Sequence, residues 1–380
     1  MEYIAKMSKM VDVPVRQVFS ITELKYRQLA AGGRFARLRL RLAMYVGYPL
    51  KVLAVALMAR PTAILIVSSN TFFAPLLAWA GSRLRRPVIV HWRCDLYPDA
   101  LVVARNIPEG GWVEYVIGCV QWLMNRTCDQ VVAVGGLLLE HANLRWGKAR
   151  RSAYIDNVPS DETNFFHLIN RTPASLGFHY GGQMGYMHEP DSMALFVRVA
   201  LQVGGPRVHF DFRMSGAYRP QFEAAICDTG LVVNGPIENA EWKVLIQNYQ
   251  VGLVSLSPGG AMVSLPSKIY SMLAGGLAIV AVCPAWSDLA EIVRITGGGW
   301  VINNSPHQTV AQLKEGDYAR NCQARRSVAE VAAESGRLVA ELLADQTEVE
   351  RRRRNAVRAA HEIFGLPELR RRWAAVLEQF

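Results

Sequence analysis

The sequence predicts an α/β protein made of two doubly wound domains in series. Three observations predict it. At 380 residues the chain exceeds one ordinary core, and two domains of about 150–200 residues each are expected. Short apolar, β-branched runs alternate with helix-length segments in both halves, the pattern of parallel sheets covered on both faces. A short Pro/Ser/Gly segment, Thr172-Pro-Ala-Ser-Leu-Gly177, separates the two blocks.

In the first block the strand candidates are Ala63–Ser68, Val88–His91, Gln130–Val134 and Ala153–Asp156. The second block opens with a strand at His179-Tyr180, followed by His209–Met214, Leu231–Asn234, Gly252–Leu256 and Ala278–Cys283. A doubly wound domain normally begins with a buried strand and a glycine-rich turn. Here the start carries only a weak run, Val15–Phe19, and Gly32 and Gly33 come after a helical pattern, so the first domain is read as abbreviated or irregular at its start. The last 50 residues are helical in pattern and rich in arginine, and they close with a helix over Pro367–Phe380. No repeat and no low-complexity tract is present.

Hydrophobic residues make up 51% and charged residues 19%, which excludes disorder as the general state. A formal net charge of +10 suits an anionic partner, which the charge alone leaves as nucleic acid, an acidic membrane surface or a phosphorylated substrate. No nucleic-acid recognition module occurs, and aromatics are not interleaved with the basic runs, so nucleic acid is set aside. The cysteines at 94, 119, 128, 227, 283 and 322 form no metal-binding spacing, and several, such as Cys283, lie in apolar runs, as reduced thiols of a cytoplasmic protein would. No secretory signal is visible. The longest apolar stretch, Leu42–Ala59, is interrupted by Pro49 and Lys51, which predicts no clean spanning helix. It follows the basic run Arg34-Phe-Ala-Arg-Leu-Arg-Leu-Arg-Leu42, so Arg34, Arg37, Arg39 and Arg41 are candidates for peripheral contact with an anionic lipid surface.

The segment richest in chemistry is Ser264-Leu-Pro-Ser-Lys-Ile-Tyr-Ser-Met-Leu-Ala-Gly-Gly-Leu-Ala-Ile-Val280. Pro266 suits a first helical turn, Ser264 and Ser267 offer oxygens to the free amides there, and Gly275/Gly276 end the helix. Lys268 in the first turn opposes the helix dipole, which a nearby anion would explain; a lysine reaching to solvent is the other reading, and both stay open.

Ser264–Val280 resembles the donor-binding motif of the family 4 glycosyltransferases, in the subgroup that builds colanic acid and O-antigen-type polysaccharides. Further matches follow in the family's order. Tyr180-Gly-Gly-Gln-Met-Gly185 resembles the glycine-rich turn after the first strand of the C-terminal domain, and Asn234-Gly-Pro-Ile the strand end before the donor-site helix. His91-Trp-Arg-Cys-Asp-Leu-Tyr-Pro-Asp99 resembles the strand end of the N-terminal domain at the catalytic cleft. Asp156-Asn157 with Phe165-Phe166 resembles the family's connector without its glycine.

The resemblance runs from Ala63 to the C-terminus. It implies a GT-B fold of two Rossmann-like domains with a cleft between them: residues 1–172 on the acceptor side, 173–365 holding the nucleotide-sugar, and a C-terminal helix, 366–380, packing back on the first domain. It also implies transfer of a sugar from a nucleotide diphosphate-sugar, with retention, to a saccharide acceptor. An acceptor carried on polyprenyl diphosphate would explain the basic run at Arg34–Arg41.

In that reading Gly182, Gly185, Ser264, Ser267, Lys268 and Glu291 bind the donor and its phosphates, while His91 and Asp95 orient or deprotonate the acceptor hydroxyl. No Asp-x-Asp sequence occurs, so neither metal nor cofactor is expected. The chain departs from the family's Glu-x7-Glu pair, whose positions hold Val263 and Ser271. That departure keeps two alternatives open: a catalytically silent subunit that binds a partner transferase or membrane, and a sugar-nucleotide epimerase, for which His188/Glu189 is the one tight pair in the second half.

Overall fold

The computed structural model describes residues 33–68, 73–157 and 175–380, together with Val18 and Leu29. The weak run Val15–Phe19 (apart from Val18), Gly32, Phe165-Phe166 and the start of the inter-domain segment at Thr172 lie outside the described residues.

The chain divides into two compact units. The first holds the described residues up to Val102, Ile107–Asp156 and Leu369–Phe380; the second holds Val103–Asn106 and the described residues from Asn157 to Glu368. In chain order the first unit contains α1 (Arg34–Leu42), α2 (Tyr48–Met58), β1 (Ile64–Ser68), α3 (Ala74–Ser82), β2 (Val88–Arg93), α4 (Trp112–Thr127), β3 (Gln130–Ala133), α5 (Gly136–Trp146) and β4 (Ser152–Tyr154). The second contains β5 (Leu176–Gln183), α6 (Pro190–Gly204), β6 (Val208–Ser215), α7 (Arg219–Ala225), β7 (Val233–Asn234), α8 (Asn239–Leu245), β8 (Val251–Ser255), α9 (Lys268–Ala274), β9 (Ala278–Cys283), α10 (Asp288–Thr296), β10 (Gly299–Asn303), α11 (Val328–Ala344) and α12 (Gln346–Glu362). A last helix, α13 (Leu366–Leu377), runs from one group of residues into the other.

Both sheets are parallel, but their strand orders differ. The first runs β1-β2-β3-β4, in sequence order, so every crossover steps the same way. Right-handed crossovers then stack α3, α4 and α5 on one face, and α2 packs beside α3. The second runs β10-β9-β8-β5-β6-β7, so the chain reverses direction between β5 and β8. Its central strands β8 and β9 are buried at every position, as strands covered on both faces must be. Phe178 anchors that core, edge-on to Phe196 and stacked on Phe210, with Phe212 and Phe222 beyond.

Three local features differ from the sequence reading. The backbone is helical without a break from Arg34 to Met58, 25 residues, long and apolar enough to cross a membrane by length and composition alone. A π-turn over Ala43–Gly47 precedes Pro49, a change of hydrogen-bond register at the point where the helix takes in a residue without an N–H. α9 starts at Lys268 rather than Pro266, and Ser267 makes no capping hydrogen bond because it already has helical backbone angles. β10, an additional edge strand, follows α10.

Candidate functional site

In an open parallel sheet, ligands bind beyond the carboxyl ends of the strands where the strand order reverses. In the second unit that place lies between β5 and β8; β5 runs on through Gly181 and Gly182, which pair with Arg213 and Met214, so the glycine-rich turn expected from Gly181 begins only after Gln183. Gly181 and Gly182 are required for different reasons. A Cβ on Gly181 would sit 2.8 Å from His179 Nε2 and 3.0 Å from Trp242 Nε1. Gly182 has φ +106°, a conformation that side chains resist, and its open side faces the end of the Lys268 side chain. Beneath them His179 is locked: Trp242 Nε1 donates to its Nε2 at 2.8 Å, and its Nδ1–H donates to Asp211 at 3.0 Å. This buried relay makes the floor of the turn rigid.

Lys268, first residue of α9, reaches back to this turn. Its ammonium donates to Tyr180 Oη at 2.6 Å and to the Gln183 carbonyl at 2.9 Å, and it lies 4.0 Å from the centre of the Tyr180 ring. None of these partners carries a full negative charge, and burial holds the Lys268 pKa well below the ordinary lysine value. Burial also pushes the Tyr180 phenol up, so it stays protonated. An anion arriving at the turn would therefore meet a cation whose charge is uncompensated.

Next to it, His188 has no hydrogen-bond partner for either ring nitrogen. Burial, then Lys268, hold its pKa well below the usual histidine range. His188 lines a cavity of about 280 Å³ together with Tyr186, Glu189, Tyr218, Arg105 and Arg325. Glu189 is buried and ion-paired with Arg325; burial raises its pKa despite that partner. The pair named for epimerisation thus lines one cavity, with Glu189 held by Arg325 and the His188 ring unpartnered. Gly185 has open space around it.

The other donor candidates spread out. Ser264 caps the short helix Gly260–Val263 in extended conformation, and Ser267 is exposed. Glu291 lies on the outer face of α10, paired to Arg294, which lowers its pKa. Val263, at the first family glutamate position, is fully buried. A Schellman motif ends α9, with Leu277 N–H bonded to Met272 O and Gly276 N–H to Leu273 O, and Gly276 at φ +71°. Arg353 Nε donates to the Gly276 carbonyl at 2.7 Å, so part of the C-terminal arginine run braces this loop rather than facing solvent.

In the first unit, β2 continues past His91 to Arg93, so the strand end expected at His91 lies two residues later. His91 is completely buried, its ring nitrogens have no partner, and burial with Arg93 nearby holds its pKa well below the usual range. Arg93 shares its face, is also fully buried, and bonds Asn125 of α4 at 2.5 Å; burial lowers its pKa to about 10. Asp95 is half-buried just beyond the strand. The residue that sequence reasoning missed is Asp99. It is fully buried, accepts from Trp146 Nε1 at 2.6 Å, and pairs with His141 Nε2 at 3.0 Å and Arg145 at 3.3 Å. Arg34, Arg39 and Arg41 lie on α1, as does the backbone of Arg37. Among the described residues no three His, Cys, Asp or Glu side chains converge as metal ligands.

No protein-family model and no curated protein matches the sequence. Solved structures do. The Anabaena protein HepE in complex with UDP superposes with TM-score 0.59 at 16% identity, over 89% of this chain and 84% of that one. Sucrose-phosphate synthase from Thermosynechococcus elongatus gives 0.55 at 15% identity, over 94% and 80%. The UDP-forming α,α-trehalose-phosphate synthase of Burkholderia vietnamiensis gives 0.57 at 12%, over 94% and 80%. With two parallel sheets flanked by helices and this likeness along nearly its whole length, the chain has the GT-B fold.

Proposed function

We propose that this chain is a nucleotide-sugar-dependent glycosyltransferase. It moves a hexosyl group, with retention and without a metal, to a saccharide acceptor carried on polyprenyl diphosphate. The reaction belongs to cell-surface polysaccharide synthesis, of lipopolysaccharide or exopolysaccharide, at the inner face of the cytoplasmic membrane. The observation that carries the reading is Lys268, a half-buried ammonium without a carboxylate partner, held against the Gly182 turn at the reversal of the strand order. A nucleoside diphosphate leaving group gathers charge in the transition state, and Lys268 with the backbone near Gly185 is suited to take it, the Met184 N–H being already bonded to the Ser215 carbonyl. His188, neutral beside them, can hydrogen-bond a phosphate or sugar oxygen. On the acceptor side, half-buried Asp95 is better suited than sealed His91 to meet a hydroxyl. Arg34, Arg37, Arg39 and Arg41 are assigned to an anionic lipid surface.

The test is a thermal-shift panel of nucleoside diphosphates on the purified chain, with UDP first. A ligand at about 100 times its Kd stabilises by about 2.7 kcal/mol. Lys268→Ala is expected to weaken binding by about tenfold to a hundredfold, the range for a hydrogen bond to a charged group. No shift with any nucleotide would sink the donor-site assignment. Buried Val263 in place of a family carboxylate favours one second reading, a silent GT-B subunit. That reading predicts nucleotide binding without transfer or hydrolysis.

A further inference from the structure

α4 buries polar and apolar residues together: its buried positions are Glu114, Ile117, Gly118, Gln121, Met124 and Asn125. Its exposed positions are Trp112, Tyr115, Val116, Cys119, Trp122 and Arg126, a single stripe about 20 Å long with one charge at its end. Trp112 is 78% exposed and Tyr115 71%. A solvated helix face is normally charged, and isolated exposed apolar residues need no account, but a continuous aromatic stripe does.

The surroundings of the stripe have a sign. Trp122 stacks under Arg126, 4.6 Å from ring centre to guanidinium, and on the neighbouring α3 Trp79 stacks under Arg83 at 5.0 Å. α3 and α4 both run from the carboxyl ends of the strands back to their starts, so these two Trp–Arg pairs lie at the same edge of the layer. Leu84, 86% exposed, follows there between Arg83 and Arg85-Arg86. Along α2, α3, α4 and α5 the one exposed acid is Glu140. Residues 33–157 hold sixteen Lys and Arg against seven Asp and Glu. α2, packed on α3, adds Leu50, Leu57 and Met58 to the exposed apolar surface.

From this juxtaposition we infer that the exposed face of α4, with the Arg83–Arg86 turn beside it, seats in the headgroup region of an anionic membrane. Tryptophan and tyrosine settle at that depth because each joins an apolar ring to a polar tip, and the arginines at the edge pair with lipid phosphates. The inference rests on the membrane-contact part of the proposed function, and it moves the main contact from α1 to the α3–α4 face.

The full chain is tested by co-sedimentation with vesicles of phosphatidylcholine, with and without phosphatidylglycerol, and by quenching of tryptophan fluorescence with brominated lipid. The variant Trp112→Ser/Tyr115→Ser/Trp122→Ser is expected to lower partitioning onto anionic vesicles by about tenfold or more and to lose most of the quenching. Tyr115→Ser alone gives a smaller loss in the same direction and guards against misfolding of the triple variant. Arg85→Glu/Arg126→Glu removes the preference for phosphatidylglycerol. If the triple variant binds like the wild type while Arg34→Ser/Arg39→Ser/Arg41→Ser does not, α1 alone makes the contact; the inference fails and the membrane reading stands. If no vesicle is bound and the triple variant instead splits a dimer in sedimentation, the face meets a second copy of the chain, and both fail.

Discussion

The two sheets place polar side chains near the carboxyl ends of their strands in opposite ways. In the first unit the strand order never reverses among the described strands, α3, α4 and α5 stack on one face, and His91, Arg93 and Asp99 are sealed in. In the second the order reverses between β5 and β8, and Lys268 stays half-open above a glycine turn. Burial is the same physical agent in both, lowering the pKa of His91, Arg93, His188 and Lys268 alike. What differs is access. Sealed Asp99 is satisfied by the protein's own Trp146, His141 and Arg145 and serves the fold, whereas a half-open group such as Lys268 can be satisfied by a ligand.

The largest expected effect tests the sealed side. Asp99→Ala removes the acceptor shared by Trp146, His141 and Arg145. The loss is expected to destabilise the chain by about 3–5 kcal/mol, the range for breaking a buried pair from one side. Urea denaturation followed by tryptophan fluorescence measures it. A loss below about 1 kcal/mol would mean that Asp99 is not the hub of that cluster.

On the open side the corresponding test is pH. Lys268 has a lowered pKa in the free protein, and a bound diphosphate favours its protonated form, so binding takes up a proton. Affinity is therefore full below the lowered pKa and weakens as pH rises through it toward the ordinary lysine value, by at most about tenfold per pH unit. Titration calorimetry in two buffers of different ionisation enthalpy reads the proton directly. An affinity that is flat above neutrality, with no proton taken up, would remove Lys268 from contact with the phosphates.

The contrast also marks what the sequence could reveal. The strands were legible where β-branched residues run continuously: Ala278–Cys283 is read without error, and the runs at Ala63, Val88 and Gln130 fall within a residue or two. β10 escaped because its apolar run is brief and follows three glycines. Lys268 and Gly182 were legible because helix punctuation and a glycine turn are local signals. Their connection through Tyr180, 88 residues upstream of Lys268, was not. Asp99 carried no local signal beyond its place at the end of the His91–Asp99 segment, since its partners His141, Arg145 and Trp146 lie 42 to 47 positions away, all on α5. Ser267 failed as a cap because a local motif specifies chemistry but not the backbone angle that the tertiary fold imposes.

A finer probe separates two glycines that the sequence alone treats as equals. Gly182→Ala forces a side chain into φ +106°, while its new Cβ would lie 3.8 Å from Lys268 Cε, an ordinary contact. The cost is therefore conformational and is expected at about 1–2 kcal/mol. Gly185→Ala meets nothing within 4 Å and is expected to be neutral for stability. Equal losses at both positions would show that the turn's strain is not concentrated at Gly182.

The smallest effect decides the role of Glu291. Its carboxylate is exposed on α10 and paired only across one turn, with Arg294. Exposed pairs of this kind contribute little, so Glu291→Gln is expected to move the melting temperature by less than about 2 °C. Because stability hardly changes, binding can be read cleanly in the same variant. If nucleotide or nucleotide-sugar affinity also stays within about twofold, Glu291 is a surface acid and the donor contacts narrow to the Gly182 turn, His188 and Lys268. A loss of affinity specific to the nucleotide-sugar, with the nucleoside diphosphate unaffected, would instead put Glu291 at the sugar. The open face of the second unit would then extend beyond the strand reversal to the outer helix that follows β9.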